Sequence, residues 1–304
     1  MIDARLRELA SRQQDVVATW QLTAVGWTEA RVAHNMAGYR RLHDGVHLVS
    51  HAPPGPWQLW WAATLTTPDT TLSHTSAGAS YGVWPDPGRV HTVTRPGSGG
   101  PTRIGDLLVM RSSTLGTEDI AYDRGLRRTT IERTLIDLAP RLSDRRLRKL
   151  LREALRLGLT TAPAVLRALR RHRGRRGVAK LRVLADRYVR LPIARCKSDA
   201  EAMALELLDG AGRPIPQVNV LVAGEEADQF FADLGRIIEI DGPGYHRLKD
   251  DDARKTAAWR AAGIRVDRIA SGDVFDHPER YLALAPPRSP PGRRTSISPG
   301  QGGG

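Results

Sequence analysis

The stretch GRIIEID at residues 235–241 constrains this chain more than any other. Ile237, Ile238 and Ile240 mark a central, apolar strand, which needs a neighbour on each side. Glu239 and Asp241 interrupt it two residues apart, so both project from one face. Charged groups on such a strand are costly unless something offsets them. The flanking sequence supplies the rest of a sheet. KSDAEAMALELLDGAG (197–212) reads as a helix capped by Ser198 or Asp199, with Glu201 in its first turn. PQVNVLV (216–222) and EADQFF (226–231) are strand patterns, DDARKTAAWRAAG (251–263) is a helix ending at Gly263, and IRVDRI (264–269) is a last strand. Short turns make the first three strands an antiparallel meander, and the order is α-β-β-β-α-β.

On that sheet Asp228 comes alongside Glu239 and Asp241. Three carboxylates at one end of a sheet repel one another unless a cation lies between them, and hard oxygen donors suit Mg²⁺ or Mn²⁺. Glu201 offers a fourth oxygen from the preceding helix. Gly242-Pro243-Gly244 then turns the chain and delivers Tyr245 and His246 to the same edge. A divalent ion beside an imidazole is equipment for phosphodiester hydrolysis, with His246 transferring a proton. The alternative, a solvated acidic hairpin, conflicts with the flanking isoleucines.

Residues 198–276 resemble the small nuclease domains of the PD-(D/E)XK superfamily that are similar to very-short-patch-repair endonucleases. Ser198-x-x-Glu201, GRPIPQVNV, Asp228, and EIDG followed by Tyr245-His246 carry the resemblance. Asp251-x-x-Arg254, the Ala-Gly before the last strand and Arg268 complete it. It implies Asp228 and Glu239 as metal ligands, helped by the Ile240 carbonyl, and His246 as an active-site histidine. Lys249, Arg254 and Lys255 are candidates for holding the scissile phosphate. Asp241 stands where the superfamily usually has Lys, which leaves the general base open.

The front of the chain has a different pattern. Leu6, Leu9 and Ala10 stripe one helix, and Thr19 and Thr28 are cap candidates for short helices over 20–25 and 29–37, with Gly26 between them. YRRLHDGVHLVS (39–50) follows as two strands around Asp44-Gly45. Three helices and a hairpin make a winged helix. Arg31, His34 and Asn35 would then face a major groove, and Arg40 and Arg41 would meet phosphates; the alternative is a winged-helix module that contacts protein or only packs. His43, His47 and His51 recur every four residues, but Asp44-Gly45 breaks any helix there, so they read as surface histidines.

Residues 52–140 read as mixed α/β. WQLWWAATL (57–65), LSHTSAGASYGV (72–83) and TTIERTLIDLAP (129–140) are helix patterns, and VHTVT (90–94) and DLLVM (106–110) are strand-like. Ser73, His74 and Ser76 suggest a nucleophile–base pair, but adjacent helical residues point apart, which favours capping and packing. VVATWQLTAVGWT…GYRRLHDGVHLV, LSHTSAGASYGV and RTTIERTLIDLA resemble the AbiEi-type antitoxin family of abortive-infection systems over about residues 1–140. The resemblance implies DNA binding by the front module, with the protein's own promoter as a candidate site. The C-terminal half does not look like that family's effector region.

Charge singles out the next segment. The 304 residues hold 46 Lys and Arg against 33 Asp and Glu, a formal net charge of +13. Residues 141–190 alone hold 17 basic and three acidic side chains, so the rest of the chain is near neutral. Such a block is the electrostatic footprint of a polyanion partner; decoration of solvated helix faces is the alternative. Three amphipathic helices are expected there, with Ser143 as a cap, Leu147, Leu150, Leu151 and Leu155 as one stripe, and Pro163 in a first turn. Val178, Leu181, Leu184 and Tyr188 stripe the third. RRHRGRRG (170–177) places Arg171, Arg173, Arg175 and Arg176 on a basic connector.

One cysteine, Cys196, excludes an intramolecular disulfide, a zinc ribbon and a CxxC pair. No apolar run reaches the roughly 18 residues of a membrane span, and the first residues lack a secretory h-region. A cytoplasmic protein with no membrane partner is the inference. The expected organisation is multidomain α/β: a winged helix-turn-helix (1–50), an α/β middle region (51–140), an Arg-rich helical bridge (141–195), a restriction-endonuclease-like domain (196–285) and a disordered tail (286–304). The expected function is Mg²⁺- or Mn²⁺-dependent cleavage of DNA by Asp228 and Glu239, supported by Glu201, Asp241 and His246. RNA is the other polymer the same chemistry serves. The alternative is a non-catalytic DNA-binding regulator or antitoxin with a degenerate nuclease domain and an unidentified cognate protein.

Overall fold

The computed structural model describes residues 3–86, 88–242 and 249–287, with the side chains of 249–251 left out. The expected tail from 288 on, and Tyr245 and His246, lie outside the described residues. Among the described residues the chain is mixed α/β with three sheets, and it forms two compact units, residues 1–189 and 190–304. Among the described residues no helix is long and apolar enough to cross a membrane.

The first unit begins with α1 (Ala4–Arg12), β1 (Val16–Ala18), α2 (Thr19–Ala24), α3 (Glu29–Met36), β2 (Arg40–His43) and β3 (Val46–Leu48). Thr28 caps α3 as expected, its hydroxyl accepting from the Arg31 N–H at 3.3 Å. Thr19 does not cap α2; that position falls to Ala18, whose N–H donates to the Gln21 side chain. The hairpin around Asp44-Gly45 gains a third strand, because β1 pairs with β3 to give the order β1-β3-β2. Leu6, Val17, Leu22, Trp27, Val32 and Met36 pack together beneath it.

A second, six-stranded sheet follows, built from β4 (Thr71–Leu72), β5 (His91–Pro96), β6 (Thr102–Ile104), β7 (Leu107–Ser112), β8 (Ile120–Asp123) and β9 (Leu126–Thr129) in the order β6-β7-β5-β4-β9-β8. Helices α4 (Pro56–Thr64), α5 (His74–Ser80) and α6 (Ile131–Leu138) intervene along the chain. Trp60 and Trp61 of α4 pack in one apolar cluster with Val16, Val46 and Leu48 of the first sheet and Val93, Val109 and Leu126 of the second. One core therefore runs across the expected boundary at residue 50.

The basic segment forms α7 (Asp144–Arg156), α8 (Ala162–Arg171) and α9 (Val178–Arg190). Ser143 caps α7, Pro163 stands in the first turn of α8, and the leucine, valine and tyrosine stripes are buried. Up to residue 189 these helices belong to the first compact unit. A buried ionic cluster joins them to α6. Arg133, 1% exposed, donates to Asp119 at 2.8 Å and to Asp137 at 2.9 Å. His172 lies 2.9 Å from Asp119, and Arg175 donates to Asp137 at 2.8 Å. Gly177 closes the connector with φ +84°, where a Cβ would stand 2.6 Å from the Pro140 nitrogen.

The second unit contains α10 (Asp199–Gly210), β10 (Gln217–Val222), β11 (Glu225–Phe231), β12 (Arg236–Asp241), α11 (Lys249–Ala261), β13 (Arg265–Ala270), α12 (Ser271–Asp276) and α13 (Pro278–Leu284). Its sheet order is β10-β11-β12-β13; the first three strands form the antiparallel meander and β13 runs parallel to β12. The order α-β-β-β-α-β read from the sequence is present, followed by two further helices. Trp259 of α11 is fully buried against Val222, Ala227 and Ile237, and its indole N–H donates to the Val222 carbonyl at 2.9 Å. Tyr281 of α13 is also fully buried and donates to the Gln229 side chain at 2.7 Å.

Replacing Arg133 by Met leaves Asp119 and Asp137 without their shared cation. The first unit should lose about 3–5 kcal/mol, the usual effect of removing one partner from a buried ion pair. Urea unfolding followed by circular dichroism tests this; a loss well under about 1 kcal/mol would mean that His172 and Arg175 suffice.

Candidate functional site

The register of β11 and β12 pairs Gln229 with Ile238 and Phe230 with Ile237, so Asp228 falls opposite Glu239. The two carboxylates are locked to the strands rather than to each other. The Asp228 N–H donates to Glu239 Oε1 at 2.9 Å, and the Ile240 N–H donates to Asp228 Oδ2 at 2.8 Å. Each acid thereby commits one oxygen to a backbone amide and keeps a second for a ligand. Glu239 is buried, 6% exposed.

Burial dominates the electrostatics of this pair. It pushes the Asp228 carboxyl up to about 6; Glu201 and Asp241 add to the rise, while the Ile240 N–H and Lys255 oppose it. Burial likewise pushes Glu239 up to about 7, reinforced by Asp228 and opposed by Arg268 and Lys255. Two neighbouring carboxyls raised in this way share protons in the absence of a cation.

The expected convergence of three or four acids is not what forms. Asp241 accepts from Arg268 at 2.9 Å, and Arg268 also lies 3.5 Å from Asp252. Glu201 is turned to its own helix start, accepting from the Lys197 N–H at 2.9 Å and from the Asn219 side chain at 2.8 Å, with Ser198 as the helix cap. It acts on Asp228 through its charge alone. Among the described residues no group of three or more His, Cys, Asp or Glu is arranged to hold a metal ion. A two-carboxylate site still fits Mg²⁺, which keeps several waters and takes only one or two protein carboxylates. Asp228 and Glu239 are the residues that would hold it.

The other candidates divide. Lys255 acts on both carboxylates of the pair, whereas Arg254 is engaged with Glu225. Lys249 begins α11, its side chain beyond description, and His246 falls outside the described residues. Arg268 was visible in the sequence only as part of a motif. Its role as partner of Asp241 depends on β13 lying parallel to β12 with Glu239 beside Arg268, which no local pattern encodes.

In the first unit, the expected base-reading residues of α3 are partly committed elsewhere. Arg31 ion-pairs with Asp3 at 2.7 Å and lies over the Trp27 ring at 4.4 Å. Asn35 donates to the Arg31 carbonyl at 2.8 Å. His34 and Arg40 are exposed, and Arg41 pairs with Asp44 at 3.0 Å. Of the connector arginines, Arg175 is tied into the buried cluster and Arg171 lies 3.7 Å from Asp119. Arg173 and Arg176 are exposed. Ser73 and His74 are buried and 3.0 Å apart, Ser76 accepts from the Thr92 N–H at 2.8 Å, and burial pushes His74 down to about 4. Ser73 and His74 thus come together where adjacent helical positions were expected to point apart, because Ser73 stands at the N-cap in extended conformation, outside α5.

The raised carboxyls fix the sign of a pH effect. From about pH 4 the carboxyls of the unfolded chain ionise, whereas Asp228 and Glu239 hold their protons in the fold up to about 6 and 7, so rising pH favours the unfolded chain until the folded pair has ionised too. Without divalent cation, the second unit should lose on the order of 2 kcal/mol between about pH 4 and about pH 7. Glu239→Gln should flatten that slope, and Mg²⁺ or Mn²⁺ should offset it at the higher pH only. Thermal melts of the intact chain read this, and a wild-type melting temperature independent of pH in that window would refute it.

A family model described as the AbiEi antitoxin C-terminal domain matches residues 62–187, from α4 into α9. The match takes in the part of the front resemblance beyond residue 62 and extends through the basic helices. No curated protein matches the chain. Over residues 62–187 the chain is similar to abortive-infection antitoxins.

Proposed function

We propose that the protein is a DNA-binding regulator of the antitoxin kind. The match of residues 62–187 to the AbiEi antitoxin C-terminal domain carries this reading. The α1–α3 and β2–β3 arrangement agrees with a winged helix, whose exposed His34 and Arg40 are available to DNA. Arg173 and Arg176 would add backbone contacts that read no sequence. A cognate toxin is the protein partner this reading implies.

Fluorescence anisotropy with a duplex from the protein's own promoter and a scrambled duplex tests the proposal. Binding should weaken steeply with salt, and Arg173→Ala and Arg176→Ala should each lower the salt slope by about 1. Salt-insensitive binding, or none, would overturn it.

A specific observation favours a second activity in residues 190–287: the Asp228–Glu239 pair, a half-buried and a buried carboxyl with raised pKa values at one sheet position. We infer a metal-dependent phosphodiesterase site. A bound Mg²⁺ or Mn²⁺ would lower the pKa of water and neutralise charge developing on the phosphate. Asp228 and Glu239 would hold the ion, and Lys255 would favour their ionised forms. Arg268 keeps Asp241 from joining them, and His246 would move the proton. Plasmid, single-stranded and RNA substrates at low salt, with EDTA as control, should be cut by wild type and spared by Asp228→Ala and Glu239→Ala. Intact substrates with DNA binding retained in all three proteins would leave the regulator without nuclease activity.

A further inference from the structure

A cleft of about 620 Å³ opens in the first unit at the turn end of the β2–β3 hairpin, lined by Arg41, His43, Thr66, Thr67, Arg95 and Asp106 among others. Arg95, at the middle of this lining, is half-buried. Its Nε donates to the Thr70 hydroxyl at 3.1 Å and its Nη2 to the Thr66 hydroxyl at 2.9 Å. Among the described residues no carboxylate lies within ion-pairing distance of it. Burial, followed by the like charge of Arg111, lowers its pKa below the ordinary arginine value.

The two carboxylates of the cleft act on side chains other than Arg95. Asp44 pairs with Arg41 at 3.0 Å, and Asp106 acts on His43 and His91. Burial keeps His43 below its ordinary pKa. A guanidinium held in a cleft by neutral hydroxyls, with the like charge of Arg111 acting on it, lacks the paired anion that would offset its desolvation. Its planar fork suits a tetrahedral oxyanion, and Arg41 lies on the wall of the same cleft.

We infer that this cleft is a phosphate site, with Arg95 as its principal ligand and Arg41 as its second cation. The ligand is a phosphate ester, and the volume accommodates a mononucleotide. A phosphate of bound DNA following the hairpin would satisfy it, as would a soluble nucleotide, so the inference stands apart from the phosphodiesterase site.

Thermal shift and calorimetry on the full chain with inorganic phosphate, AMP and a short duplex test it, with sodium chloride at matched ionic strength as control. Phosphate and AMP should raise the melting temperature above the chloride control. Arg95→Gln should weaken AMP at least about tenfold, the effect of losing charge-assisted hydrogen bonds, and Arg95→Lys should fall between. Arg41→Gln, on the exposed hairpin, should weaken AMP as well and provides the measurement if Arg95→Gln does not fold. AMP that competes with the duplex assigns the site to the DNA backbone, and AMP that binds alongside the duplex assigns it to a soluble phosphate ester. No stabilisation of wild type beyond chloride, or wild-type AMP affinity in folded Arg95→Gln or Arg41→Gln, would overturn the inference.

Discussion

The first unit depends on a single buried cation. Arg133 reaches Asp119 at the end of a short turn and Asp137 one helical turn further along α6, and His172 and Arg175 return to the same two acids from the connector between α8 and α9. Removing these groups from water is expensive, and their mutual pairing offsets that cost even though Asp137 Oδ2 is left without a hydrogen bond. That pairing ties the strongly basic helices to the mixed sheet. Much of the charge read as a polyanion footprint therefore has two parts: arginines such as Arg175 that hold the fold, and arginines such as Arg173 and Arg176 that face solvent.

In the second unit the corresponding constraint is unsaturated. Asp228 and Glu239 each accept a backbone N–H across the β11–β12 ladder, and burial raises both. Arg268 pairs with Asp241, while among the described residues the pair has no such cation in contact. Two acids that hold protons thus stand beside one that is ion-paired, an asymmetry set by which strand β13 pairs with and in what direction.

Local pattern made a good deal of this legible. The caps at Thr28, Ser143 and Ser198 follow from side chains that can accept orphan N–H groups, and the meander follows from alternating apolar residues around short turns. What stayed hidden is decided at long range. Strand β1 is three residues long and acquires its identity only by pairing with β3. Ala18 rather than Thr19 takes the cap position of α2, where the Gln21 side chain accepts its N–H. Helices α12 and α13 have no strong stripe of their own, yet Tyr281 is buried because Gln229 offers its hydroxyl a partner. The same holds for the acids: their spacing put them on one face, while their separation into a pair and a single acid required knowledge of Arg268. The Arg95 cleft also joins residues from four distant segments.

The placement of tryptophan has an optical consequence. Six of the seven tryptophans precede residue 190, and Trp259 alone lies in the second unit. Its ring is fully enclosed and its indole nitrogen is held by the Val222 carbonyl, so its emission should be blue-shifted and shielded from aqueous quenchers. A chain carrying Trp259→Phe would report the first unit alone, and the difference spectrum against wild type would report the second. The two units thus carry separate built-in fluorophores.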